Sequence, residues 1–510
     1  MSNSLDFIAF ANPVEESKQQ AIQKFESQFC GLNTETKSTF YVKEIKLENK
    51  CEMPVGITID SNNSVWYLST KHGSLINYDP KSSNFSSYSV PLWKSRDNPI
   101  DHSFVWDLKF DPTGENLWFT DEKQNLIWKY SISENKFEHF KVPDTNSVFG
   151  TVYPVSLDFD NNGNIYFVGI RSTDLWIGDI STMKSGTDQG ISTISMPVTV
   201  FEGLSPNLIS TGSLVVDKTN NVVWISMLAF GFKGQILKYD ISSQSFEIFE
   251  LQELPSPVGL AIDEKNNIWI SDHGTSIFAQ LNSSTGELTK FVTSPVSSRI
   301  NDGKKFDNAY TLPYWMRSGD NNTALIFNEH TGNKIGKYYP QNMTLVEYWI
   351  PSQNKFFGVC SEDSKSDSCG IGNILQISSE VNSSIWFTEW SENKIGMVDT
   401  SIPLPFSVSS SINNLKIKAG EAKEIKILLE SNSDSKINMF SSASFNPSGS
   451  LGNSLGLFNK KSLDLTPGNS EEISYILTIS PDVAMGHYIL MVGAENEYVS
   501  ISKAINIEVI

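Results

Sequence analysis

One phrase returns seven times along the chain and limits the fold more than any other feature. "IFNEHTGNKIGKY" (Ile326 to Tyr338) and "WFTEWSENKIGMV" (Trp386 to Val398) are two of its copies. Further copies begin at Val65, Leu117, Ile165, Val223 and Ile268, so the spacing is about 45 to 60 residues. Each copy reads as an apolar strand, a polar turn and a second strand. Upstream lies a short strand closed by an Asp-Asn turn, as in "PVGITIDSNNS", "PVSLDFDNNGN" and "PVGLAIDEKNN". Downstream lies an aromatic strand that runs into proline, as in "KFEHFKVP" and "LVEYWIP". One repeat is therefore four short strands joined by Asn/Gly/Asp turns. Such units arranged around a ring make a β-propeller, and seven copies make a seven-bladed one. The Gly-His…Trp-Asp signature of WD40 repeats is absent.

The last copy ends near Thr400 with only three strands. "FYVKEIKL" (Phe40 to Leu47) looks like the missing fourth, so the two ends of the repeat region are expected to share a blade and leave no open sheet edge. Ahead of it, Pro13 to Phe29 has helical spacing. After Ile402 the pattern changes to Ser/Asn/Lys-rich alternation with strands at sandwich spacing. The expected organisation is all-β: an N-terminal extension with a short helix (1–39), a seven-bladed propeller (40–402) and a small β-sandwich (403–510). The sandwich stretch "TPGNSEEISYILTISPDVAMGHYILMVGA" resembles the immunoglobulin-like domains appended to extracellular enzymes and surface proteins of archaea and bacteria.

At 510 residues the chain is too long for one ordinary core. Its formal charge of −19 repels phosphate backbones and argues against a nucleic-acid partner. No apolar run approaches the roughly 20 residues of a membrane span. The N-terminus lacks a basic region and contains Asp6, so it is a poor signal peptide as it stands. Cys30, Cys51, Cys360 and Cys369 fall into two sequence-local pairs, which fits two disulfides in an oxidising compartment; four reduced thiols are the alternative. Sequons at Asn62, Asn84, Asn282, Asn321, Asn342 and Asn382 are about what chance gives in so Asn-rich a chain, and they support glycosylation and secretion weakly. The chain is expected to be extracellular or at the cell surface, and monomeric.

In a propeller the first strand of each blade lines the central channel. The second runs antiparallel to it and ends at the face where the first began. The residue after the Trp-Phe-x phrase thus lies near the channel mouth in every blade. That position holds Ser69, Asp121, Gly169, Met227, Asp272, Glu329 and Glu389, and four of the seven are acidic. His273 and His330 follow two of them. Convergent carboxylates can hold Mg²⁺ or Ca²⁺ through oxygen ligands, and with imidazoles they can move protons. Glu329, Glu389 and Asp272 are the candidate metal ligands. His330 and Glu389 are the candidate catalytic pair, and Asp121, His273 and Tyr314 the candidate binding residues. They can equally solvate a polar rim and cap loop amides.

"PVGI", "LWFTD", "IWFTEWSENKIG" and "FNEHTGNKIGKY" resemble the repeats of the virginiamycin B lyase (streptogramin lyase) family, over roughly Phe40 to Ile402. The resemblance implies a seven-bladed propeller and Mg²⁺-dependent opening of a cyclic ester by elimination. A metal would polarise the ester region, and a His would remove a proton. Glu389 matches a family carboxylate. The family's His in a Glu-Pro-His-Gly-Ile phrase has no counterpart in "SCGIGNILQI", and the His of its Pro-His phrase is replaced by Tyr314. Three readings follow: a lyase-like enzyme, a secreted propeller that binds a small molecule or glycan without reacting it, and a metal-dependent lactonase.

Overall fold

The computed structural model describes residues 18–31, 35–93, 104–143, 152–205, 208–251, 253–296, 310–319, 322–354, 371–444 and 454–510, apart from Gln252. Seven antiparallel blades stand around one channel. Their channel strands are Pro54–Ile59, Leu108–Phe110, Pro154–Phe159, Ile209–Asp217, Pro257–Ile262, Pro313–Ser318 and Ile374–Ile377. The seventh blade closes as expected. Val42–Lys46 is its outermost strand and pairs with Lys394–Asp399, from Val42 opposite Val398 to Lys46 opposite Lys394.

Blades pack face to face, so their second strands are covered on both sides and are mainly apolar. Val65–Ser69, Leu325–Glu329 and Ile268–Asp272 are buried at every position. Outer strands meet water, and Asn84–Ser89 has no buried residue.

Three features of the repeated phrase have structural causes. In blades 1, 3 and 5 the Asp closing the channel strand caps its own turn. Asp60, Asp160 and Asp263 accept from the backbone N–H groups two and four residues on. Their second oxygens take Trp66 Nε1, Tyr166 Oη and Trp269 Nε1 at 3.0–3.2 Å. The Ser, Asn or Thr next to the end of the second strand reaches the following blade. Ser226 donates to the Val258 carbonyl, Asn328 to Ile374 and Thr388 to Val55, which carries the chain of contacts across the closure. In "NKIG", Asn333 and Asn393 take left-handed backbone at φ 55°. Asn333 Nδ2 then donates to the carbonyls of Ile350 and Ser352, and Asn393 Nδ2 to that of Asn49. Gly336 and Gly396 lie under Phe327 and Phe387, where a Cβ would come within 2.6 Å and 2.1 Å of the rings.

Beyond the propeller lies a β-sandwich. One sheet contains Phe406–Ser410, Ala422–Ser431, Ser470–Thr478 and Leu455–Phe458. The other is continuous with blade 6, a join that no sequence pattern announced. Strand Val499–Val509 pairs with the outer strand Thr344–Trp349, from Thr344 opposite Lys503 to Tyr348 opposite Val499. The result is a nine-stranded sheet spanning both units. The helix Lys18–Phe29 is tied down by the Cys30–Cys51 disulfide. Cys360, Cys369 and Asn321 lie outside the described residues. Among the described residues no helix is long and apolar enough to cross a membrane.

Removing residues 403–510 would strip the outer strand of blade 6 of its partner and leave an unpaired apolar edge. The truncated protein is expected to self-associate and to melt at lower temperature than the full chain. Light scattering and calorimetry at matched concentration check this; an equally stable, monodisperse truncation would refute it.

Candidate functional site at the channel mouth

The acidic residues that end the second strands are fully buried. Asp121 accepts Trp93 Nε1 at 2.6 Å, Trp128 Nε1 at 3.0 Å and the Gln124 N–H at 3.0 Å. Asp272 accepts the Ser256 N–H and the Thr275 hydroxyl, each at 2.7 Å, and burial pushes its pKa up to about 6. These two fasten hairpin turns rather than offering open ligand positions.

Glu329 and Glu389 belong to two similar buried clusters, each built around a lysine from the NKIG phrase. Lys334 Nζ lies 3.1 Å from both Glu329 and Glu347, and all three side chains are inaccessible or nearly so. Lys394 Nζ lies 3.0 Å from Glu44, on the closing strand, while Glu389, opposite Lys394 in the backbone register, has both carboxylate oxygens buried with no hydrogen-bond partner among the described residues. Burial opposes the charge on Lys334, but the two carboxylates outweigh it and hold its pKa up. Burial pushes Glu329 well above the carboxylate range, Lys334 opposes this and Glu347 adds to it. Glu389 is likewise raised, by burial first and then by Glu44. One ammonium cannot fully neutralise two dry carboxylates, so a proton is retained.

At Glu329 the Lys334 ammonium already stands where a divalent ion would have to bind. Among the described residues, no group of three or more His, Cys, Asp and Glu is placed to hold a metal ion. The donor set expected for Mg²⁺ or Ca²⁺ does not fit these residues.

The histidines do come together. His273 Nε2 lies 3.0 Å from His330 Nδ1, and His330 Nε2 lies 2.5 Å from Asn373 Oδ1. Three neighbouring blades supply this chain. Asn373 precedes a channel strand with left-handed backbone (φ 54°), as do Met53, Tyr153 and Leu312 in other blades. With the Asn373 oxygen accepting, His330 carries its proton on Nε2. Its Nδ1 then accepts from His273, which leaves His273 Nδ1 as an acceptor nitrogen. Burial lowers both imidazoles, His330 to about 4, so the pair is neutral at pH 7. Tyr314 lies over His273 with ring centroids 4.2 Å apart.

From Tyr314 a chain of aromatic contacts runs between the blades; Tyr314 and Phe104 are half-buried, and Trp106, Trp390 and Phe29 are packed in the core. Trp106 follows at 6.2 Å, Phe104 at 4.6 Å from Trp106, Trp390 at 5.1 Å and Phe29 of the helix at 4.8 Å. Trp106 donates to Glu122 at 2.9 Å. Deeper in, Arg317 of blade 6 bonds Asp107 of blade 2 at 2.9 Å, which bridges the channel from side to side. Tyr314, His273 and His330 were legible from their register position. The same position one blade on gives Trp390. Asn373 and the join to Phe104 depend on which blades face each other.

No family model matches the sequence, and no curated protein sequence does. Solved structures do. A virginiamycin B lyase from Staphylococcus aureus matches with a TM-score of 0.51 at 18% identity, covering 71% of this chain and 99% of that one. The propeller is built like that of virginiamycin B lyase. A streptogramin B lyase structure matches equally well at 19% identity, over 71% of this chain and 99% of that one. A catalytically inactive S. aureus variant with quinupristin matches with a TM-score of 0.50, over 70% of this chain and 98% of that one. At such identity the likeness is one of fold.

Two outcomes are expected. Lys334→Met leaves Glu329 and Glu347 buried without their cation and should cost about 3–5 kcal/mol in chemical denaturation. The triple change Glu329→Gln, Lys334→Met, Glu347→Gln should recover part of that loss. His330 must stay neutral in the fold, with a pKa of about 4 against 6.5 unfolded. Its contribution is complete above pH 6.5 and is lost as pH falls towards 4, by up to about 1.4 kcal/mol per pH unit. Asp272, Glu329 and Glu389, with raised pKa values, act in the opposite sense. The difference in stability between wild type and His330→Gln, followed from pH 7 to 4.5, isolates the histidine. An unchanged difference would contradict a neutral buried His330.

Proposed function

We propose that the protein binds an uncharged, ring-containing small molecule, a glycan foremost, at the channel mouth of its propeller. The observation that carries this reading is the half-buried group of Tyr314, His273 and Phe104, with Tyr314 lying over a neutral imidazole and the core rings of Trp106, Trp390 and Phe29 packed behind. Sugar rings place C–H faces on aromatic rings and hydroxyls on nearby acceptors and donors, and such sites are mainly apolar with a few placed polar groups. The lysine-filled carboxylate cluster at Glu329 speaks against chemistry assisted by a divalent metal there. The Cys30–Cys51 disulfide fits an oxidising compartment, and we place the protein outside the cell.

A second reading is favoured by one observation. The Asn373–His330–His273 chain sets a neutral imidazole, His273, beside Tyr314. A base so placed could abstract a proton in a lyase reaction like that named for the matching structures, without a metal.

Tryptophan fluorescence titration with a panel of sugars and a cyclic depsipeptide separates the two. Binding of a sugar that weakens at least tenfold in Tyr314→Ala and in Trp106→Ala, with their circular dichroism unchanged, supports the first reading. Binding of nothing in the panel, or equal binding by both variants, defeats it. Consumption of the depsipeptide that is lost in His273→Gln would put the second reading in its place.

A further inference from the structure

A cavity of about 270 Å³ lies where blades 5 and 6 meet the sandwich strand Val499–Val509. The turns that line it join first to second strands and third to fourth strands, so it sits at the end of the blades away from the channel mouth. Its floor is three buried rings, Trp269 and Phe291 of blade 5 and Tyr338 of blade 6, with centroids 5.0–5.5 Å apart. Gln280 and Thr289 follow Trp269 in one cross-strand row of blade 5. Asn506 brings an amide from the sandwich.

Two departures from the repeat distinguish blade 6 here. In blades 1, 2 and 4 the tyrosine of the third strand faces a phenylalanine on the fourth. Tyr78 is opposite Phe85, Tyr130 opposite Phe137 and Tyr239 opposite Phe246, with ring centroids 4.6–5.0 Å apart. Opposite Tyr338 stands the smaller Leu345. The second departure is in the turn. Asn135 of blade 2, at φ 49°, accepts the Tyr130 hydroxyl at 2.9 Å. Met343 holds that position in blade 6, at φ 52°, and a thioether is a weak acceptor. The Tyr338 hydroxyl has no hydrogen-bond partner among the described residues, although the residue is only 1% exposed. Burial pushes its pKa up, so it keeps its proton and can only gain by donating it to an acceptor in the cavity.

The carboxylates at the rim are already engaged. Asp263 accepts from Asn267 Nδ2 and Trp269 Nε1, and Glu264 from Gln341 Nε2. Their charge disfavours an anion, and their committed oxygens disfavour a cation. Amides, hydroxyls and ring edges remain. The volume is just below the roughly 300–1,000 Å³ of pockets for drug-sized ligands, which suits one small ring.

We propose that this cavity binds a single neutral sugar ring, at a site separate from the channel mouth. The sugar's hydroxyls take Tyr338, Gln280 and Thr289 as partners, and its C–H groups rest against the ring edges of the floor. Two sources offer such a ring: a free sugar, or a glycan carried by Asn342, the exposed sequon residue between the lining residues Gln341 and Met343.

The test titrates glucose, galactose, mannose and N-acetylglucosamine by calorimetry into the full chain made in a host without N-glycosylation. At least one should bind. Tyr338→Phe removes only the unpaired hydroxyl, so its melting temperature should equal that of the wild type, while affinity for that sugar falls by about fivefold, the worth of one neutral hydrogen bond. Gln280→Ala should weaken it similarly, and Tyr314→Ala, at the mouth, should leave it unchanged. Binding that survives Tyr338→Phe with Gln280→Ala but is lost in Tyr314→Ala belongs to the mouth and overturns the cavity site. Binding of none of the four sugars overturns it as well. Chain from a glycosylating host separates the sources. If the Asn342 glycan fills the cavity, that chain binds no free sugar until the glycan is removed enzymatically; unchanged binding makes the free sugar the ligand.

Discussion

The ring is closed by a single antiparallel pairing of five residues, Val42–Lys46 on Lys394–Val398. A propeller blade left with three strands would expose an unpaired edge, and the channel strands would lose their common axis. Much of the local chemistry serves this joint. Lys394 is ion-paired to Glu44 on the closing strand, in a site where each would be costly alone. Thr388 donates across the seam to Val55. The disulfide from Cys30 to Cys51 and the ring contact of Phe29 with Trp390 fix the segment that leads into the closing strand.

The same joint explains why an acidic, lysine-bearing phrase recurs in the last two blades. Blade 6 carries Glu329, Lys334 and Glu347; blade 7 carries Glu389, Lys394 and Glu44 from the other end of the chain. The same chemistry is used twice, once within a contiguous segment and once across the closure. In blade 6 the lysine is ion-paired to both carboxylates; in blade 7 it is ion-paired to Glu44, and the Glu389 oxygens stay buried without a hydrogen-bond partner among the described residues. The carboxylates of blade 6 are thus explained by blade stability, and the mouth is left to rings and neutral imidazoles.

The sandwich adds a second constraint. Its strand Val499–Val509 extends blade 6, so the blade that contributes Tyr314 and His330 is one end of a nine-stranded sheet rather than a free four-stranded one. Movement of the sandwich would be transmitted to the outer edge of that blade. Arg317 and Asp107 brace the same blade against blade 2 from inside the channel. Tyr314 and His330 therefore sit on an element braced at both edges, which suits a preformed site.

The repeat, the number of blades and the shared last blade were legible in the sequence, because each depends on local strand periodicity and turn chemistry. So was the turn Asp of blades 1, 3 and 5, since its hydrogen bonds reach only two to six residues along the chain. The register position that carries Asp121, Asp272, Glu329 and Glu389 was legible too, but not what those side chains do. Whether a carboxylate at a strand end points into a channel or onto a lysine depends on pairing with Glu347, or with Glu44 some 350 residues away. Local spacing carries no record of that distance. The His273–His330–Asn373 chain, the aromatic contacts between blades and the join between blade 6 and the sandwich are decided in the same way. Each needs groups from separate blades at contact distance, and only closure of the ring sets which blades are neighbours and which side chains their packing leaves at the mouth.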